Sequence, residues 1–152
     1  MPAGVRFVVA VPLLSALALL SGCGGSPSAP AQADQEAKQF PPPAPDKGAL
    51  YVYRASWLGA ARPLDVALVG GATVQLPPNT FIRLEGPPGP VEIDCKVGDQ
   101  TGGRQVQIAY GQTRYVEVAM TMGAWAPGCA VEEVAADTGQ RAVRAARRLE
   151  PQ

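Results

Sequence analysis

Val91-Glu92-Ile93-Asp94-Cys95-Lys96-Val97 alternates apolar and polar residues without a break. A period of two fits an extended strand with one buried face, whereas a helix would scatter these apolar side chains around its circumference. Val91, Ile93, Cys95 and Val97 are therefore expected to face in, with Glu92, Asp94 and Lys96 in water. Ala49–Arg54, Leu64–Val69, Thr73–Leu76 and Thr80–Glu85 read as further strands. So do the run through Val106 and Ile108, Arg114–Thr121 and Cys129–Val134. Gly70-Gly71 signals a tight hairpin, and Pro77-Pro78-Asn79 and Gly86-Pro87-Pro88-Gly89 signal turns. Gly98 to Gly103 is expected to close the strand before it. Seven or eight short strands, about 8–12 residues apart, predict a mainly β fold: an antiparallel β-sandwich, or an open barrel, over 47–136.

The C-terminal stretch has a different period. Asp137-Thr138-Gly139-Gln140 is similar to a capping box. On a helical wheel Arg141, Arg144, Arg147 and Arg148 share one arc, opposite Ala142, Val143, Ala145, Ala146 and Leu149. An amphipathic helix is predicted over 137–150, with Pro151 at its limit. Its small apolar residues suit packing on the open side of the sandwich. The alternatives are an anionic bilayer or an acidic partner.

Residues 1–22 carry one charge, Arg6, and an apolar run from Phe7 to Leu20. Fourteen residues are too few to span roughly 30 Å of hydrocarbon comfortably, but they suit a signal peptide. The run ends in Leu20-Ser21-Gly22-Cys23, which resembles the lipobox of bacterial lipoproteins. The resemblance implies cleavage before Cys23 and acylation of that cysteine. A membrane anchor without a spanning helix would result, and two or three acyl chains hold far more firmly than one. Gly24, not Asp, follows the cysteine. In Gram-negative lipoproteins an aspartate there resembles an inner-membrane retention signal, so the expected location is the periplasmic face of the outer membrane. Residues 23–46, small, polar and rich in proline, read as a lipidated linker holding the domain off the bilayer, with a proline-binding partner as the alternative.

Composition limits the chemistry. The 152 residues include no histidine, which removes Ser-His-Asp and Cys-His nucleophiles and imidazole metal sites. Thirteen basic and thirteen acidic residues give no basic footprint for nucleic acid. That zero is a cancellation between about −3 over 46–137 and about +3 over 138–152. With Cys23 lipidated, Cys95 and Cys129 remain, and an oxidising compartment invites a disulfide; two separate buried thiols are the alternative. A metal pair lacks further soft ligands. Asp94, Asp99, Glu132 and Glu133 read as solvated charge rather than an acid–base or calcium site. Tyr51 and Tyr53 share a strand face ahead of Trp57; core packing or an aromatic binding shelf would each account for them.

Several segments together resemble bacterial lipoproteins that carry domain of unknown function 2846. They are Ala49-Leu-Tyr-Val-Tyr-Arg54 followed by Gly59 and Gly70-Gly71, then Pro87-Pro88-Gly89-Pro90-Val91, then Gly111-Gln-Thr-Arg-Tyr115-Val-Glu-Val. The likeness covers roughly 47–137; Val69 stands where that family usually has Asp, and Pro90 where His is common. It implies a β-sandwich envelope lipoprotein and no chemistry. The expectation is thus a non-enzymatic structural or interaction module, without cofactor or metal, bound to a membrane and open to an envelope protein partner. A carboxylate-dependent hydrolase and a carrier or inhibitor gripping a peptide along a strand edge are the competing readings.

Overall fold

The computed structural model describes residues 26–68 and 73–151. The predicted signal peptide, Cys23, and the glycines of the Gly70-Gly71 hairpin lie outside the described residues. Among these described residues two helices and nine strands follow in the order α1 (Ala31–Ala37), β1 (Gly48–Arg54), β2 (Leu64–Leu68), β3 (Thr73–Leu76), β4 (Thr80–Gly86), β5 (Gly89–Val97), β6 (Gln100–Ile108), β7 (Thr113–Met122), β8 (Pro127–Val134), α2 (Ala136–Ala145) and β9 (Arg147–Arg148). They form a five-stranded sheet, β8-β7-β1-β4-β9, and a four-stranded sheet, β3-β2-β5-β6. The fold is a mainly β sandwich with a C-terminal helix.

The alternation in β5 buries Ile93, Cys95 and Val97 and exposes Glu92, Asp94 and Lys96. These side chains meet Val52 and Leu50 of β1, Ile82 of β4, and Val116, Val118 and Met120 of β7 between the sheets. This inner core is almost entirely aliphatic. A disulfide joins Cys95 on β5 to Cys129 on β8, with Cα atoms 6.2 Å apart, and so ties one sheet to the other.

Four expectations need correction. The pairing is not antiparallel throughout: β1 runs parallel to β7, and β4 parallel to β9. Strand periodicity carries no direction, so only the topology reveals this. Second, β6 begins at Gln100, because Gly98-Asp99 alone turns the chain and Val97 already pairs with Gln100. Third, α2 stops at Ala145, and Ala135 caps it without a side-chain hydrogen bond. Ala146 turns extended (φ −93°, ψ 169°), which lets Arg147 and Arg148 pair with Thr80 and Phe81. Leu149 accordingly enters the inner core, while Val143 packs on the opposite face of the five-stranded sheet.

The fourth correction is the largest. Residues 26–46 are not a free linker over their described length. Their reason for docking lies on the outer face of the five-stranded sheet, where Tyr51, Tyr53, Phe81 and Tyr115 would otherwise meet water. Ala37, Phe40 and α2 cover that face. The Phe40 ring stands 5.6 Å from Tyr51 and 6.1 Å from Tyr115, and those two tyrosines stack at 5.2 Å. Phe40 reaches this place from a left-handed backbone (φ 53°), a strain of roughly 1–3 kcal/mol that the aromatic contacts offset. Polar bonds complete the docking. Tyr51 Oη donates to Ala37 O (2.7 Å), Arg83 Nη2 to Pro41 O (3.2 Å) and Arg148 Nη1 to Ala33 O (3.1 Å). Upstream, Ser28 bridges Leu149 antiparallel, and Gln75 N on β3 donates to Ser26 Oγ (3.1 Å). The N-terminal residues thereby close one edge of the sandwich.

Candidate functional site

The four arginines expected on one helical face are separated by the fold. Arg141 and Arg144 lie exposed on α2, whereas Arg147 and Arg148 lie on β9. Arg144 sets its guanidinium 5.0 Å from the centre of the Phe40 ring. The Arg148 backbone N–H donates to Asp34 Oδ1 (2.8 Å), and its side chain holds α1 as described. Two of the four are thus engaged in fixing residues 30–40, and no continuous basic face results. Tyr51 and Tyr53 line no open shelf, because the covering layer buries both.

Among the acids, Asp94 and Glu132 are exposed on strands, Asp99 is exposed in a turn, and Glu133 pairs with Arg114 at 3.1 Å. Glu117, which the sequence reading passed over, is more perturbed. It sits opposite Glu132 on β8 and beside Tyr53 on β1. Burial, and then the Glu132 charge, push its carboxyl above the usual range, while Tyr53 opposes the rise. Burial, followed by the Glu117 charge, pushes the Tyr53 phenol up to about 12. The two glutamates meet on a sheet surface rather than in a cleft. Among the described residues no three His, Cys, Asp or Glu side chains gather as a metal site.

The most constrained polar group is Arg54, at the end of β1. It is fully buried and its guanidinium donates only to carbonyls. Nη1 reaches Arg62 O (2.9 Å) and Leu76 O (3.0 Å), and Nη2 reaches Leu58 O (2.8 Å) and Gly59 O (3.2 Å). Desolvation lowers its pKa, yet an arginine remains charged at any physiological pH. The cation stands in for secondary structure: it satisfies the carbonyls of an irregular loop, residues 55–63, that would otherwise lack donors. Gly59 completes the loop with a left-handed φ of 65°, which disfavours any other residue, and lies against the Met120 side chain, which would have to move to admit a Cβ. The result is a fixed loop that leaves Trp57 and Leu58 exposed. The β7–β8 hairpin beside it exposes Met122 and Trp125. An arginine closing an otherwise apolar run was the one sequence signal for this arrangement, and the hairpin tip gave none.

At the other end of the sandwich a cleft of about 420 Å³ opens between β1 and the β4–β5 turn. Leu50, Leu84, Val91 and Ile108 line it, with Glu85 as a charged residue in its wall. It is apolar and brings no pair of acids together.

Compared with known proteins, the chain is similar to an uncharacterized protein of Haemophilus influenzae, 24% identical over 125 residues that cover 82% of this chain and 74% of that one. No family model and no solved structure matches. No helix among the described residues is long and apolar enough to cross a membrane.

Proposed function

We propose that this chain is a cell-envelope lipoprotein, anchored through Cys23 on the periplasmic face of the outer membrane, whose β-sandwich is a non-catalytic structural or interaction module. The observation that carries this reading is Leu20-Ser21-Gly22-Cys23 at the end of a fourteen-residue apolar run. A disulfide between the two sheets suits an oxidising compartment. Gly24 in the second mature position favours the outer over the inner membrane. The resemblance of residues 47–137 to the domain of unknown function 2846 lipoproteins points the same way. A hydrolase would need two carboxyls converging in a cleft, whereas Glu117 and Glu132 adjoin on a sheet surface and the far cleft is apolar.

The anchor is tested by feeding cells a radiolabelled fatty acid and partitioning the protein in detergent. The wild-type chain takes up label and enters the detergent phase, and Cys23→Ser loses both properties. A Cys23→Ser protein still in the detergent phase refutes the anchor. Separation of inner from outer membranes tests the location, and cross-linking in intact cells identifies whatever the module contacts.

A further inference from the structure

We infer that the end of the sandwich carrying Trp57, Leu58, Met122 and Trp125 rests on the bilayer that holds the anchor. This rests on the lipoprotein reading above and adds an orientation to it. The four side chains are 69%, 44%, 73% and 99% exposed, unusual for residues of this size in one region. They converge because β1 and β7 run parallel, so the loop after β1 and the hairpin after β7 leave at the same end. Gly59 against Met120 joins the two segments. Arg54 fixes the loop through three of its carbonyls and ties it to β3 through Leu76 O, so Trp57 and Leu58 are held outward by the fold. Arg62 and Asp99, one charge of each sign, line a shallow cleft together with Ala126 and Pro127 of the second segment.

The chain enters at this same end. Ser26 is bonded to Gln75, next to Leu76, whose carbonyl binds Arg54. Only Gly24 and Gly25 separate Cys23 from Ser26, and a fully extended chain over those three steps reaches no more than about 11 Å. A docked segment 26–46 leaves no long tether, so the anchored domain must present this end to the lipid. Tryptophan is the side chain best suited to the headgroup boundary, where an apolar ring and a polar N–H are both accommodated.

Trp57 and Trp125 are the two tryptophans of the chain, so fluorescence excited selectively in tryptophan reports on this surface alone. The full chain, purified from membranes, is reconstituted into vesicles of phosphatidylethanolamine and phosphatidylglycerol, with or without brominated acyl chains. Strong quenching by brominated lipid, weak quenching by aqueous acrylamide, and little effect of salt are expected. Trp57→Ser should leave a quenched Trp125 signal, and Trp125→Ser a quenched Trp57 signal. Tryptophans open to acrylamide and untouched by brominated lipid overturn the inference. Shielding from both quenchers assigns the surface to a protein and overturns it equally. Fatty-acid labelling of the same sample separates the two readings: labelled protein with unquenched tryptophans keeps the anchor and removes the orientation. Unlabelled protein with quenched tryptophans removes the anchor and keeps the lipid-facing surface.

Discussion

The two faces of the five-stranded sheet are built on different principles. The inner face is aliphatic, formed by strands that alternate in sequence, and braced by the Cys95–Cys129 disulfide. The outer face is aromatic, and its cover comes from a helix of seven residues, the proline-rich stretch after it, and α2. Buried apolar area, at about 25 cal/mol per Å², and the disulfide hold the first. The second depends on ring stacking plus hydrogen bonds from Tyr51, Arg83 and Arg148 to backbone carbonyls of the covering segment. The Tyr51 bond contributes about 0.5–1.5 kcal/mol and the two arginine bonds, both only part-buried, roughly 1.5–3 kcal/mol each, so the outer layer should open more readily than the inner core.

The largest test removes the inner brace. Replacing Cys95 and Cys129 together by Ala frees a loop of 34 residues and should cost roughly 3–4 kcal/mol in global unfolding by denaturant. Next comes Phe40→Ala, expected to cost about 2 kcal/mol, because a half-buried ring loses packing while its backbone loses none of its strain. Its signature should be faster hydrogen exchange and proteolysis within 30–46, with the inner strands still protected. Equal loss of protection in β5 would mean that the two layers unfold as one unit and would break the contrast. Tyr51→Phe removes a single hydroxyl that donates to Ala37 O and accepts from Arg83 Nε. A loss of about 1 kcal/mol is expected, again confined to the covering layer.

The smallest effect should be a gain. The Glu117 carboxyl is held above its ordinary pKa, so the fold favours its neutral form. Its contribution is fully present below the unfolded-state value and is lost as the pH rises through the raised folded value. Glu117→Gln removes a like-charge pairing with Glu132 and should stabilise by about 0.2–1 kcal/mol at pH 7. Melting curves of both proteins should then converge below about pH 4, where Glu117 is itself neutral. A constant offset across that range would show that the charge plays no part.

The strands of the inner face were legible because burial on one side writes a period of two into the sequence, as in Val91 to Val97. Their partners were less so. Nothing in Tyr51-Val52-Tyr53 says that β7 lies alongside in parallel, since the pairing joins residues about sixty positions apart. The covering layer was hidden for another reason. Its contacts are made largely by backbone carbonyls of Ala33, Ala37 and Pro41, groups that every residue carries and composition does not reveal. The polar, proline-rich texture of 26–46 therefore reads as a tether although the sheet holds it. The helix shows the same limit: Arg141, Arg144, Arg147 and Arg148 share a wheel only if the helix continues past Ala145, and the edge of β4 captures the chain first. Arg54 looked like the end of a strand, and its work is done on carbonyls up to 22 residues away.

The bridge between Ser28 and Leu149 joins positions about 120 residues apart. A chain delivered N-terminus first presents Ser28 long before its partner arrives. The edge strand that pairs beside the N-terminal segment follows every other described strand, so this edge of the sandwich stays unsealed until β9 is in place. β9 and Leu149 thus act as the clasp that holds residues 26–28 against the sandwich.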